Sequence, residues 1–214
     1  MKSLIAGLAL TALGCSAFTV QANTSDIRWN PAATPDISWD YVSAGFARMT
    51  LKNSGSDNIE LDGYQLNGSY LLSDTIYLHA SYNDVSGDLD VIGDIMGLEL
   101  EVSELELGLG LRQTVTNNID SFFEAGYIRS EVRVVDFEKD TFNGFQAAAG
   151  FRYRVIHNLE LSAALRYSDG SDRESSTVGD VAARYRITPM IDLYVSYQFE
   201  SDMSLLGTGV ALNF

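Results

Sequence analysis

Along most of the chain, apolar and polar residues alternate with a period of two. Leu105, Leu107, Leu109 and Leu111 oppose Glu106, Gly108, Gly110 and Arg112. Phe145, Ala147, Ala149, Phe151 and Tyr153 oppose Gln146, Ala148, Gly150, Arg152 and Arg154. Leu159, Leu161, Ala163, Leu165 and Tyr167 stand against Glu160, Ser162, Ala164 and Arg166, and Ile191, Leu193, Val195, Tyr197 and Phe199 against Asp192, Tyr194, Ser196 and Gln198. Successive side chains of a strand point to opposite faces, so each run predicts a strand with one apolar face and one charged or small face. Runs of this kind lie near 37–51, 59–72, 75–86, 98–115, 119–134, 141–156, 159–169, 177–187, 190–200 and 204–214, which makes ten; eight is the alternative count.

The connections alternate in character. Ser73-Asp74, Thr116-Asn117-Asn118, His157-Asn158 and Thr188-Pro189 are tight, and their Asp and Asn side chains suit local hydrogen bonds to the backbone. Lys52 to Asn58, Val85 to Gly97, Val135 to Asp140 and Ser168 to Ser176 are longer, several of them acidic. Short turns at one end and longer loops at the other are the build of outer-membrane barrels, periplasmic and extracellular respectively. In hydrocarbon every backbone N–H and C=O needs an internal partner, which requires a sheet to close on itself. Strands of eleven residues or more exceed the roughly 9–11 that a tilted strand needs to cross, and an even count brings both termini to the periplasmic side. The predicted fold is an all-β transmembrane antiparallel up-and-down barrel over 37–214. A soluble β-sandwich needs polar outward faces, which this one apolar band does not supply.

Two stretches break the pattern. In the first strand Trp39, Tyr41 and Met49 share one parity and Val42, Ala44 and Phe46 the other, leaving its faces unassigned. Between Leu98 and Leu111 the apolar parity switches after Val102, which predicts a bulge or a strand rising above the membrane.

The chain resembles the small outer-membrane β-barrel proteins of Gram-negative bacteria, of the OmpA/OmpX type. The resemblance is carried by WDYVSAGF (39–46), by the glycine-aromatic strands DGYQLNGSYLL (62–72) and NGFQAAAGFRY (143–153), and by a last strand ending Val210-Ala211-Leu212-Asn213-Phe214. It covers essentially the whole mature chain, as a ten-stranded relative of families whose best-known members have eight. It implies residence in the outer membrane as a multi-pass barrel, and it implies that Phe214 is the signal read by the barrel-assembly machinery.

The N-terminus agrees with that compartment. Lys2, the uncharged run Leu4 to Leu13 and the small-residue pattern Val20-Gln21-Ala22 predict a cleaved secretory leader over 1–22. The run is too short to span a bilayer, which takes roughly 20 apolar residues. Residues 23–36 are expected to form a periplasmic segment. Cys15 is the only cysteine, and in Ala12-Leu13-Gly14-Cys15 the leucine stands one place too close to it for a lipoprotein cleavage box. Cleavage leaves no thiol, which removes disulfide, redox and cysteine-metal chemistry. With 14 Lys and Arg against 29 Asp and Glu the net charge is −15, and losing Lys2 deepens it by one. That excludes the basic footprint of a nucleic-acid binder. Mean hydropathy near zero fits a barrel whose two faces cancel.

Charges concentrate on the face opposite the apolar band. Arg112, Arg152, Arg154, Arg184 and Arg186 come shortly before tight turns, and Glu124, Glu160 and Asp192 shortly after them; Arg166 lies on the same face. Arginines ending the downward strands are therefore expected to meet carboxylates beginning the upward ones, near the periplasmic end of the lumen, where the planar guanidinium fork suits carboxylates. Ten strands enclose little more than side chains, so a lumen filled by paired charges is expected, with a narrow solute channel as the alternative.

Three catalytic or metal readings were weighed. His79-Ala80-Ser81 resembles the pair of outer-membrane lipid A deacylases, but the parity of Ile76, Leu78, Ala80 and Tyr82 sends His79 and Ser81 into the lumen, away from lipid. An omptin-like protease needs a histidine at the extracellular rim; His79 is mid-strand and His157 is in a periplasmic turn. Asp84, Asp88, Asp90 and Asp94 lack the order of a calcium loop. The expectation is a non-enzymatic barrel without cofactor or metal, monomeric, in contact with outer-membrane lipid and lipopolysaccharide.

Overall fold

In a computed structural model the described residues are 37–214 apart from 53–57, 90–97, 135–138 and 171–172. The leader, its cleavage site, Cys15 and the segment 23–36 lie outside them. Ten strands form: β1 (Tyr41–Leu51), β2 (Ile59–Leu71), β3 (Ile76–Leu89), β4 (Leu98–Thr116), β5 (Ile119–Val134), β6 (Lys139–Ile156), β7 (Leu159–Gly170), β8 (Arg173–Thr188), β9 (Ile191–Phe199) and β10 (Met203–Asn213). Each pairs antiparallel with its neighbours in sequence, and β1 pairs with β10 from Tyr41↔Asn213 to Leu51↔Met203, closing an up-and-down barrel.

In the short turns at one end the side chains that bond the backbone are serine and threonine, not the Asp and Asn expected there. Ser73 Oγ accepts from the Ile76 N–H at 3.2 Å, Thr116 Oγ1 from the Asn118 N–H at 3.4 Å and Thr188 Oγ1 from the Met190 N–H at 3.3 Å. Both described chain ends lie at this end, which is the periplasmic one.

The outward face is a belt of exposed apolar side chains, among them Leu66, Leu78, Leu109, Leu165, Val181, Leu193 and Leu212. Aromatics edge it on the periplasmic side at Tyr70, Tyr153, Tyr185 and Phe214, and on the other at Phe46, Tyr64, Tyr127, Phe145 and Tyr167. Exposed leucines ringing a closed barrel are stable against lipid and not against water. The protein is a transmembrane barrel of the outer-membrane type.

Three expectations change. The first strand begins at Tyr41, not 37, because residues 37–39 turn into the lumen. Its faces are now assigned: Val42, Ala44 and Phe46 point outward, Tyr41, Ser43, Ala47 and Met49 inward. No bulge interrupts 98–111, since β4 pairs with β3 without a break from Leu98 to Leu111. The apolar parity switches because the strand leaves the membrane: Leu107 and Leu109 face lipid, whereas Leu100 and Val102 face inward. Segments read as loops are likewise strand, with β3 reaching Leu89 and β6 and β8 starting at Lys139 and Arg173.

Beyond the upper aromatic edge the polarity of the wall inverts. Outward positions carry charge: Arg48 bonds Asp62 at 2.6 Å and meets Glu60 at 3.2 Å, Arg129 and Lys139 hold Glu131 at 2.5 and 2.6 Å, and Arg133 pairs with Glu101. These cations hold two carboxyls below the usual range, Glu131 through hydrogen bonds from Lys139 and Arg129, and Asp62 through that from Arg48. On the inner side of β1–β4 and β10, Ala47, Met49, Leu61, Val85, Leu100 and Leu205 pack into one buried cluster. On these strands the wall outside the bilayer obeys the rule of a water-soluble protein, polar out and apolar in.

Candidate functional site in the lumen

The chain itself folds into the periplasmic end of the lumen. Ile37 and Trp39 are buried, Trp39 with 2% of its surface exposed. The Trp39 ring packs on Tyr77 (centroids 4.5 Å apart) and edge-on to Phe122 (5.9 Å), and its Nε1–H donates to Asp120 at 2.9 Å. The Arg152 guanidinium lies 4.0 Å over the same ring, a cation–π contact. Arg152 also donates to the Ser38 carbonyl at 2.8 Å, and Arg184 donates to it at 3.4 Å. Ser38 Oγ donates to Asn213 Oδ1 at 2.7 Å, which ties the segment to the closing strand. Residues 37–39 thus form a cork seated on arginines from β6 and β8.

Around it lie most of the charges expected near this end. Arg184 and Arg186 each reach Asp192 at 3.1 Å, Arg152 faces Glu160 at 3.8 Å, and Arg112 faces Asp120 at 3.6 Å. Arg154 donates to the Asn117 carbonyl at 2.6 Å in the neighbouring turn. Glu124 departs from the expected arginine pairing: it accepts from the Tyr77 hydroxyl at 2.7 Å and has His79 Nδ1 at 3.8 Å. The reason is depth. Asp120 has the same parity as Glu124 and lies four strand residues, about 13 Å, closer to the turn, so it takes Arg112; that shared parity was the available signal for it.

A second polar layer lies farther up. Glu106, 3% exposed, pairs with Arg166 and accepts from Gln146 Nε2 at 3.0 Å. Arg166 continues to Asp180 at 3.7 Å, and Asp180 accepts from Gln198 Nε2 at 3.2 Å. Arg166 was expected on this face; Glu106, Asp180 and Gln146 were not expected as its partners. β4 and β7 are not neighbours, so their contact crosses the lumen and no pattern within one strand or hairpin reports it. Between this layer and the cork is a polar chamber of about 140 Å³, lined by Tyr41, Asn67, His79, Ser162 and Tyr194 among others. Above the layer a second cavity of about 660 Å³ shares Arg166 and Gln198 with the first.

The other candidates separate. His79 and Ser81 both face the lumen, and His157 sits in the β6–β7 turn. Asp84 points outward and accepts from the hydroxyls of Tyr64 at 3.2 Å and Tyr82 at 2.9 Å. Asp88 is four residues farther along the same strand, about 13 Å away, too far to share an ion with it; Asp90 and Asp94 lie outside the described residues. Phe214 is exposed on the lower aromatic edge, its ring stacked on Tyr70 at 6.4 Å and its N–H donating to the Asp40 carbonyl at 3.3 Å.

No family model matches the chain, and no curated protein matches it in sequence. Among solved structures it is similar to the NanC porin, at 11% identity over 81% of this chain and 100% of that one, with a TM-score of 0.48. It is similar to the KdgM porin in complex with disordered oligogalacturonate, at 15% identity over 81% and 99%, TM-score 0.47. It is also similar to the outer membrane protein OprG from Pseudomonas aeruginosa, at 13% identity over 85% and 98%, TM-score 0.45.

Proposed function

We propose that this outer-membrane barrel is a closed, monomeric structural and interaction element of the cell envelope, not a solute path and not an enzyme. The observation that carries the reading is the cork: Trp39 is buried among Tyr77, Phe122 and Arg152, with its one hydrogen-bond donor satisfied by Asp120. Withdrawing it exposes a large aromatic, takes the Ser38 carbonyl and the indole face from Arg152, and leaves Asp120 with Arg112 alone in a secluded site, where lost polar contacts are costly. The paired charges above and beside it fix neighbouring strands to one another and act as rigid filling. The collar of outward charges beyond the membrane belt suits the anionic headgroups of lipopolysaccharide, through Arg48, Arg129, Arg133 and Lys139 directly and through divalent cations shared by the carboxylates. The luminal position of His79 and Ser81 supports a non-catalytic role, because a lipid substrate has no route to them.

A narrow channel is the second reading, and one observation favours it. The polar chamber and the upper cavity meet at Arg166 and Gln198, so a solute passing that layer would find the cork as the remaining obstruction. Planar-bilayer recording of the purified protein separates the two. The closed reading expects no steady unitary current from the wild type. Steady currents, with an ion preference altered by Glu160→Gln, would replace it with the channel.

A further inference from the structure

The extracellular half of the lumen has one finished wall and one unfinished one. Inward side chains of β1–β4 and β10 pack into the buried cluster around Leu61, Val85 and Leu205. The facing wall does not close on that cluster, and about 660 Å³ lies between them. Native interiors contain few voids larger than a water molecule, whereas small-molecule sites commonly enclose about 300–1,000 Å³ behind apolar walls with a few polar groups. Leu100, Ile128 and Leu205 supply apolar lining here, and Glu104, Asp140 and Glu200 supply carboxylates.

Charge then selects the head group. Among the described lining residues Arg166 is the one cation, and it is already engaged by two carboxylates, Glu106 and Asp180. The nearby cations Arg129, Arg133 and Lys139 are on the outer surface, paired there with Glu131 and Glu101. The cavity therefore sees an excess of negative charge, in a chain of net charge −15, and low-dielectric walls concentrate such a field. We propose that this cavity binds one amphipathic cation. Its alkyl or aryl body lies against Leu100, Ile128 and Leu205, and its ammonium head lies toward Asp140 and Glu200. The same charges reject an amphipathic anion of equal length. This site is independent of whether the cork ever opens.

The test uses the full mature protein in phosphatidylcholine nanodiscs, which keeps detergent out of the cavity, with protein-free nanodiscs measured in parallel. Calorimetric titration with decylammonium is expected to give saturable binding at one site. Decanol, with no charge, binds roughly tenfold more weakly, and decanoate does not bind above the protein-free background. The double variant Asp140→Asn with Glu200→Gln should bind decylammonium roughly tenfold more weakly, the size expected for two partly exposed charge contacts. Ser168→Phe, which fills the cavity from β7, should abolish saturable binding, while Asp88→Asn on the outer face leaves it unchanged. Each variant is checked first for the gel mobility of a folded barrel. Decanoate binding as tightly as decylammonium, binding no greater than in protein-free nanodiscs, or folded cavity variants that bind like the wild type would each overturn the proposal.

Discussion

Glu106 shows how much one luminal side chain can carry. It is almost wholly buried, and Arg166 and Gln146 both converge on it. Removing one partner of a secluded ion pair strands the other charge, at about 3–5 kcal/mol, whereas an exposed pair contributes about 0–1 kcal/mol. Glu106→Ala is therefore expected to destabilise the barrel by several times as much as Glu60→Ala, whose carboxylate faces solvent beside Arg48. Urea unfolding in lipid measures both. Adding Arg166→Met to Glu106→Ala should recover part of the loss, but not all, because it leaves Asp180 with Gln198 alone. Equal losses for the two single variants would end the view of the lumen as paired filling. Glu106 and Arg166 were each legible as charges on the face opposite the apolar band. Their pairing was not, because it joins residues sixty positions apart across the lumen.

Between elements, the coupling of β3, β4 and the cork is the most consequential. A Cβ on Gly110 of β4 would run into the ring of Tyr77, which pairs with it across the strands. Gly110 leaves room for that ring over β4, where it packs at a tilt against Trp39 and its hydroxyl donates to Glu124. A side chain here must displace the ring, so Gly110→Val is expected to loosen the cork without opening the barrel wall. In a Trp29→Phe background, acrylamide should quench Trp39 more readily in this variant than in its parent; unchanged quenching would mean that Tyr77 does not seat the cork. The period-two pattern located the strands, while the turn bonds expected of Asp and Asn are made by Ser73, Thr116 and Thr188. It placed the first strand four residues too early because Trp39 continues the alternation of Tyr41. Period two cannot distinguish a residue paired in a sheet from one folded over the end of the lumen.

For the whole molecule, the outward belt makes a physical demand: the chain is stable with lipid around it. It is expected to fractionate with the outer membrane and to run faster on SDS gels unheated than boiled, since a closed hydrogen-bonded cylinder resists detergent. Recovery as a soluble periplasmic protein with one mobility would contradict the fold. The sequence by itself determined the strand number, the alternation of tight and long connections, the lipid-facing side of most strands and the concentration of charge on the other. Those features are local, written in side-chain period and turn chemistry. Only the tertiary structure decided which charges meet, that residues 37–39 fold into the periplasmic end of the lumen, and that Leu100 and Val102 face inward while Leu107 and Leu109 face lipid. An apolar side chain marks the buried face of a strand, but which face is buried depends on the solvent outside, and that changes from lipid to water at a height that only the closed barrel defines.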